Sequence, residues 1–170
     1  ITGTGDAALE VPIPPTVQHN QNESDTQIKV FDERVDHVLT QNVVVNALWP
    51  TGMYDDAGDL HPGVVAAGTH VSSHFLHFDS VTDVELRGSV SFDNRILAFV
   101  LEDDELRDSD LELGRTELCS YPGDFPGRGV ELDDLSDWVS ISPDGKTLTY
   151  NGRVLPKLDQ VRILTEVPDP

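Results

Sequence analysis

The sequence predicts an all-β fold, a single antiparallel β-sandwich of jelly-roll type with an extended N-terminal arm. Three observations carry this. Over VELRGSVSF, Val84, Leu86, Val90 and Phe92 alternate with Glu85, Arg87, Ser89 and Ser91, the two-residue period of a half-buried strand. WVSISPDGKTLTY has the turn chemistry of a hairpin: Pro143 presets the bend, Asp144 tolerates it and Gly145 supplies positive φ. Short apolar segments recur throughout, punctuated by 13 glycines and 11 prolines, as in sandwiches rather than helical bundles.

The elements follow in order. Residues 1–27 form an arm, AALEVPIPPTV followed by the polar run QHNQNESDTQ. Leu9, Val11 and Ile13 alternate with Glu10, Pro12 and Pro14, which predicts a strand over about 8–17. Alternate N–H groups in a strand point to opposite edges, so Pro12 and Pro14 remove donors from one edge only and leave the other able to pair. Two homes suit such a strand. It can fold back as an edge of its own domain, or add to the sheet of a neighbouring copy through Leu9, Val11, Ile13 and Val17, with the polar run as tether. Head-to-tail exchange of that kind does not close and gives a homo-oligomeric filament.

Residues 28–166 form the sandwich and 167–170 a tail. QIKVFDERVDHVLTQNVVVNAL holds one or two strands, with Val43, Val45 and Ala47 on one face. Ile96–Leu101 (ILAFVL) is apolar throughout, as in a central strand covered on both faces. Helix-like pieces occur around Asp103–Leu113 and Leu132–Asp137. Val139 and Ile141 should face Leu148 and Tyr150 across the hairpin, and DQVRILT supplies a last strand with Val161 and Ile163 inward.

The chain's 170 residues suffice for one domain with a real core. No apolar run approaches the roughly 20 residues of a membrane span. It opens at Ile1 rather than Met, as a processed mature form would. Eleven Lys and Arg stand against 31 Asp and Glu, a net charge of -20 that repels nucleic-acid phosphates and anionic lipid. Such a surface suits a medium rich in salt or divalent cations, and it also keeps an exported protein soluble. Cys119 is the single cysteine, which excludes an internal disulfide and a multi-cysteine zinc site. A buried, inert thiol is expected there, with a cross-link between copies as the alternative.

Segments SDTQIKVFDERVDHVLTQNVVV, VAAGTHVSSHFLHFDSV, GSVSFDNRILAFV, DSDLELG and DQVRILT occur in an order that resembles a group of exported bacterial proteins, many with a PEP-CTERM-type sorting tail. The resemblance spans about residues 24–166 and carries no catalytic signature. The final EVPDP resembles the start of such a tail, with Asp169 where Glu is usual. It implies secretion, a β-rich fold and a role at the cell surface or in the extracellular matrix.

Chemistry-bearing clusters are few. His70, His74 and His77 fall within GTHVSSHFLHFDS. On a helix His70 and His74 would share a zinc-binding face; on the strand favoured here they are roughly 13 Å apart, too far for one ion. The acidic runs YDDAGDLHPG and LEDDELRDSDLELG offer Asp55, Asp56, Asp59, Asp108, Asp110 and Glu112 as candidate ligands for a structural Ca2+, though neither fits an EF-hand. No nucleophile elbow, phosphate loop or dinucleotide fingerprint is present. Trp49, Trp138, Tyr54 and Tyr121 are candidates for a sugar-stacking platform. The expectation is a secreted, non-enzymatic structural or adhesive subunit, a fibre or matrix protomer joined by its N-terminal strand. The alternative is a calcium-assisted module that binds extracellular polysaccharide.

Overall fold

A computed structural model describes residues 1–133, 136–154 and 158–168. Along the chain these form β1 (Thr2–Gly5), β2 (Ala7–Leu9), β3 (Ile28–Val38), β4 (Val43–Val45), β5 (Ala47–Leu48), β6 (Gly52–Tyr54), a 3-10 turn (Ala57–Asp59), β7 (Gly63–Val65), β8 (His70–Phe78), β9 (Glu85–Ser91), β10 (Ile96–Val100), α1 (Asp103–Leu113), β11 (Trp138–Ile141), β12 (Thr147–Arg153) and β13 (Asp159–Glu166). The fold is an all-β sandwich. A five-stranded sheet, β1-β9-β12-β11-β6, faces a six-stranded sheet, β2-β3-β8-β13-β10-β5, while β4 and β7 make a two-stranded ribbon.

Residue alternation sorts the two cores. Leu86, Val90, Val139, Ile141 and Leu148 of the first sheet meet Ile28, Val30, Leu76, Val161 and Ile163 of the second. The second sheet is apolar on its other face too, where Phe31, Phe75, Ala98 and Leu164 pack against Leu106 and Leu113 of α1, Val43 and Val65 of the ribbon, and Val17. That double cover explains why Ile96–Leu101 lacks alternation: every residue in it is buried. The hairpin forms as its turn residues predict, with Gly145 at φ 71 and Val139 opposite Tyr150, Ile141 opposite Leu148. The helix over 103–113 matches its sequence signal, whereas the helix-like piece at 132–137 falls partly outside the described residues.

Each flank of the sandwich is closed by one short segment that serves both sheets. At the first, β1 pairs antiparallel with β9, the chain turns at Gly5 (φ 67), and β2 then pairs parallel with β3. Asp6 joins the layers: its N–H donates to the Arg87 carbonyl, its carboxylate accepts from the Arg87 N–H, and its carbonyl accepts from the Ile28 N–H. The approach is close enough that a Cβ on Gly88 would lie 2.6 Å from the Ala7 nitrogen. At the opposite flank β5 ends the six-stranded sheet and β6 the five-stranded one, with Trp49 at the crossing.

This seat corrects the reading of the arm. Of the strand expected over about 8–17 only Ala8 and Leu9, the end of β2, are in a strand; β1 precedes that span, and beyond Leu9 the chain runs irregularly to β3 with one isolated bridge at Thr16. Leu9, Val11, Ile13 and Val17, expected to dock on a neighbouring copy, meet their own chain or water. Val17 is fully buried in its own core, Ile13 packs beside it, and Val11 is 91% exposed. The polar run is no free tether. Gln160 donates to the Val17 carbonyl, Asn20 donates to the Asp79 carboxylate, the Ser24 N–H donates to the Asp79 carbonyl, and Asp25 accepts from Thr82.

Candidate functional site

The polar interior is the feature that sequence reasoning missed. Beneath α1 the Arg162 guanidinium, fully buried, uses all five of its N–H donors: two toward Glu33 (2.8 Å each), one toward Asp110 (3.0 Å), and the remaining pair toward the Ser109 hydroxyl (2.6 Å) and the Leu106 carbonyl (3.2 Å). Arg128 grips the same Asp110 through two bonds of 2.6 and 2.7 Å and donates to Gln160. Glu33 also accepts from Tyr121 and Ser73. Two buried guanidiniums thus face two buried carboxylates, and the lattice is neutral as a whole. Phe75 and Tyr121 present their ring faces to Arg162 at 4.9 and 5.5 Å.

The lattice fixes α1 on the sheet and so places the helix's first turn. Beside that turn lies a cleft of about 580 Å³ lined by Glu102, Asp103, Asp104, Glu105, Glu131 and Asp133, with Leu60, Leu101 and Val130 among its apolar members. Burial, reinforced by Glu105, Asp103 and Asp104, holds the Glu102 carboxyl above the usual carboxylate range. Most of these acids have structural work. Asp103 accepts from the N–H groups of Gly127 and Gly129, Glu102 from the Asn46 amide, and Asp133 from the Ala57 N–H. The cleft concentrates cations by its field.

The candidate calcium ligands do not assemble. Asp110 is locked between two arginines, Glu112 accepts from the Thr40 backbone and hydroxyl and faces His37, and Asp108 pairs with Arg107. Asp56 caps the Gly58 N–H, and Asp59 accepts from the Asp55 N–H. On α1 Asp110 meets the arginines beneath the helix, Glu112 is buried against Thr40, and Asp108 is exposed beside Arg107, so the three do not converge on one point. Elsewhere Glu131, Asp137 and Asp159 bring one oxygen each within 4.8 Å of one another, and the Tyr150 hydroxyl donates to Asp159. None of these three acids lacks a partner in the fold, and their spacing of 6 and 22 residues gives no motif.

The histidines lie on β8, as the strand reading requires. His74 contacts Asp32 at 2.5 Å through Nδ1 and Thr165 at 3.1 Å through Nε2. The row has the order of a catalytic triad, but Thr165 is buried near the end of β13 and the Phe92 ring lies tilted against His74 at 4.6 Å, so the row serves to join three strands. His77 points to the opposite face, accepts from Gln160 at Nδ1 and donates from Nε2 to the Gln21 carbonyl. Burial pulls its pKa down to about 3.

The four aromatic residues do not form one platform. Tyr54 is in the core, Tyr121 is hydrogen-bonded within the lattice, and Trp138 lies under the Arg87 guanidinium. Trp49 alone of them is exposed, at the rim of a second hollow of about 360 Å³ with Thr69, His70, Leu97 and Glu166. Comparison with protein-family models, with curated proteins and with solved structures finds no match.

Proposed function

We propose that the chain is a non-enzymatic structural or adhesive subunit that works outside the cell and engages its surroundings through its surface. The observation that supports this is the closed lattice of Arg162, Glu33, Asp110 and Arg128. This buried ionic network is turned on itself and holds helix to sheet, rather than facing a cavity where substrate would sit. The net charge of -20 and the resemblance to exported proteins favour the location. Because the arm is seated in its own two sheets, attachment through the outer faces suits this fold better than strand exchange. Immunogold labelling of the producing cells, with an antibody raised against the purified chain, tests the proposal. Label on the surface or in the surrounding matrix is expected, and label confined to the cytoplasm overturns it.

A further inference from the structure

The hollow beside Trp49 has a construction that the fold alone does not require. Trp49 stands at the crossing between β5 and β6 with φ 53, in the left-handed region that a bulky residue rarely adopts, and it precedes Pro50, which disfavours helical conformations further. Its N–H is anchored to the Leu97 carbonyl at 2.7 Å, yet the indole remains 46% exposed while Pro50 is buried. A strained backbone that turns the largest side chain toward water, against the hydrophobic effect, points to a use for that side chain. The Arg95 guanidinium lies over the indole at 5.6 Å from its ring centroid, and Arg95 is not among the residues that line the hollow.

Around the indole the hollow has a mixed lining. Leu97 and Val167 add apolar surface; the Thr69 hydroxyl, the Glu166 carboxylate and the Nε2 atom of His70 have no hydrogen-bond partner among the described residues, since His70 uses Nδ1 for Asp36. An aromatic face beside a hydroxyl, a carboxylate and an imidazole suits a sugar. A pyranose ring has an apolar C–H face to lay on indole and a rim of hydroxyls that both donate and accept. We propose that this hollow is a saccharide-binding subsite that takes a pyranose unit of a neutral or amino polysaccharide, with Trp49 as the stacking platform and Glu166, Thr69 and His70 as hydrogen-bonding groups. The carboxylates of Glu166 and Asp36 and the acidic surface exclude uronic-acid polymers by like-charge repulsion. The site is independent of where in or on the cell the chain works.

Isothermal titration calorimetry with cellohexaose, chitohexaose and oligogalacturonate tests this on the full chain. Wild type should bind at least one of the first two and not the third. Trp49→Gly keeps a residue that accepts φ 53 and should retain the wild-type circular dichroism spectrum while binding about tenfold or more weakly. Should that variant fail to fold, Glu166→Gln serves in its place, with a severalfold loss expected. The proposal is overturned if wild type binds neither neutral nor amino hexasaccharide, if oligogalacturonate binds as well as they do, or if the folded variant binds as wild type does.

Discussion

Arg162 on β13 and Glu33 on β3 meet through two parallel hydrogen bonds of 2.8 Å each, and neither side chain has any exposure to solvent. Strand β8 runs between theirs, so the pair reaches across a neighbouring strand on the face that α1 covers. Taking both ions out of water is costly, and the arrangement persists because every donor of Arg162 and both oxygens of Glu33 are satisfied. Removing one partner therefore leaves a buried charge without compensation. Arg162→Met should lower the unfolding free energy in urea by about 3–5 kcal/mol, whereas Arg162→Met combined with Glu33→Met should cost less than the sum of the two single changes. Strict additivity would show that the two side chains are not coupled.

His77 makes stability depend on pH in a definite direction. Its folded pKa is about 3, against about 6.5 in an unfolded chain. As the pH falls below 6.5 the unfolded state takes up a proton that the folded state refuses, so stability drops by up to about 1.4 kcal/mol per pH unit until the folded ring protonates near pH 3. Asp25, Asp32 and Asp144 are held below their ordinary range and add a further loss at lower pH, whereas burial holds Glu102 and Asp79 above theirs and opposes it, so the histidine's share is the difference between wild type and variant from pH 6.5 to 5. His77→Gln can keep both hydrogen bonds and should flatten the slope in that window. A slope unchanged by the substitution would contradict the neutral assignment.

Seating of the arm in its own sheets has a consequence for truncation. Deleting residues 1–17 strips β1 from β9 and β2 from β3 and uncovers the site that Val17 fills, leaving two bare sheet edges. The truncated chain should melt lower and aggregate. Gly88→Ala should act more gently, because its methyl would press on Ala7: limited proteolysis should clip the arm faster while the remainder resists. A truncated protein that stays monomeric and melts at the wild-type temperature would show that the arm is dispensable to its own domain.

Cys119 is buried, and desolvation, followed by the charges of Glu33 and Asp110, pushes its thiol up to about 12. The thiolate is the reactive species, so the native chain should resist Ellman's reagent at pH 8 and react fully in guanidinium chloride. Under air oxidation it should give no disulfide-linked dimer on non-reducing gels. Rapid native labelling would overturn this.

Local signals announced the parts of this molecule that depend on local chemistry. The alternation over 84–92, the turn at 143–145, the unbroken apolar run at 96–101 and the helix at 103–113 are each written in consecutive residues. What escaped depends on residues that meet only after folding. Asp110 looks like a metal ligand within DSDLELG because its actual partners, Arg128 and Arg162, lie 18 and 52 residues away. The arm misled for a similar reason. Its apolar period of two continues past Leu9, where β2 ends, and the turn at Gly5 that passes the chain from one sheet to the other is matched by Gly88, in a strand far along the sequence. Trp49 ran against rule, since a large residue before proline should be extended, and it instead takes φ 53 where the chain passes from β5 to β6.

Closure of both flanks by segments that serve two layers bears on how the molecule carries load. Sliding one layer across the other would tear ladder bonds on both sides at once, so the layers can shear only by breaking many contacts together. Tension applied at Ile1 would instead reach β1 first and the β2 ladder only afterwards, two clips in series before the body of the domain feels the pull. A subunit held in a moving matrix would gain a graded, reversible give at one end and a rigid block everywhere else.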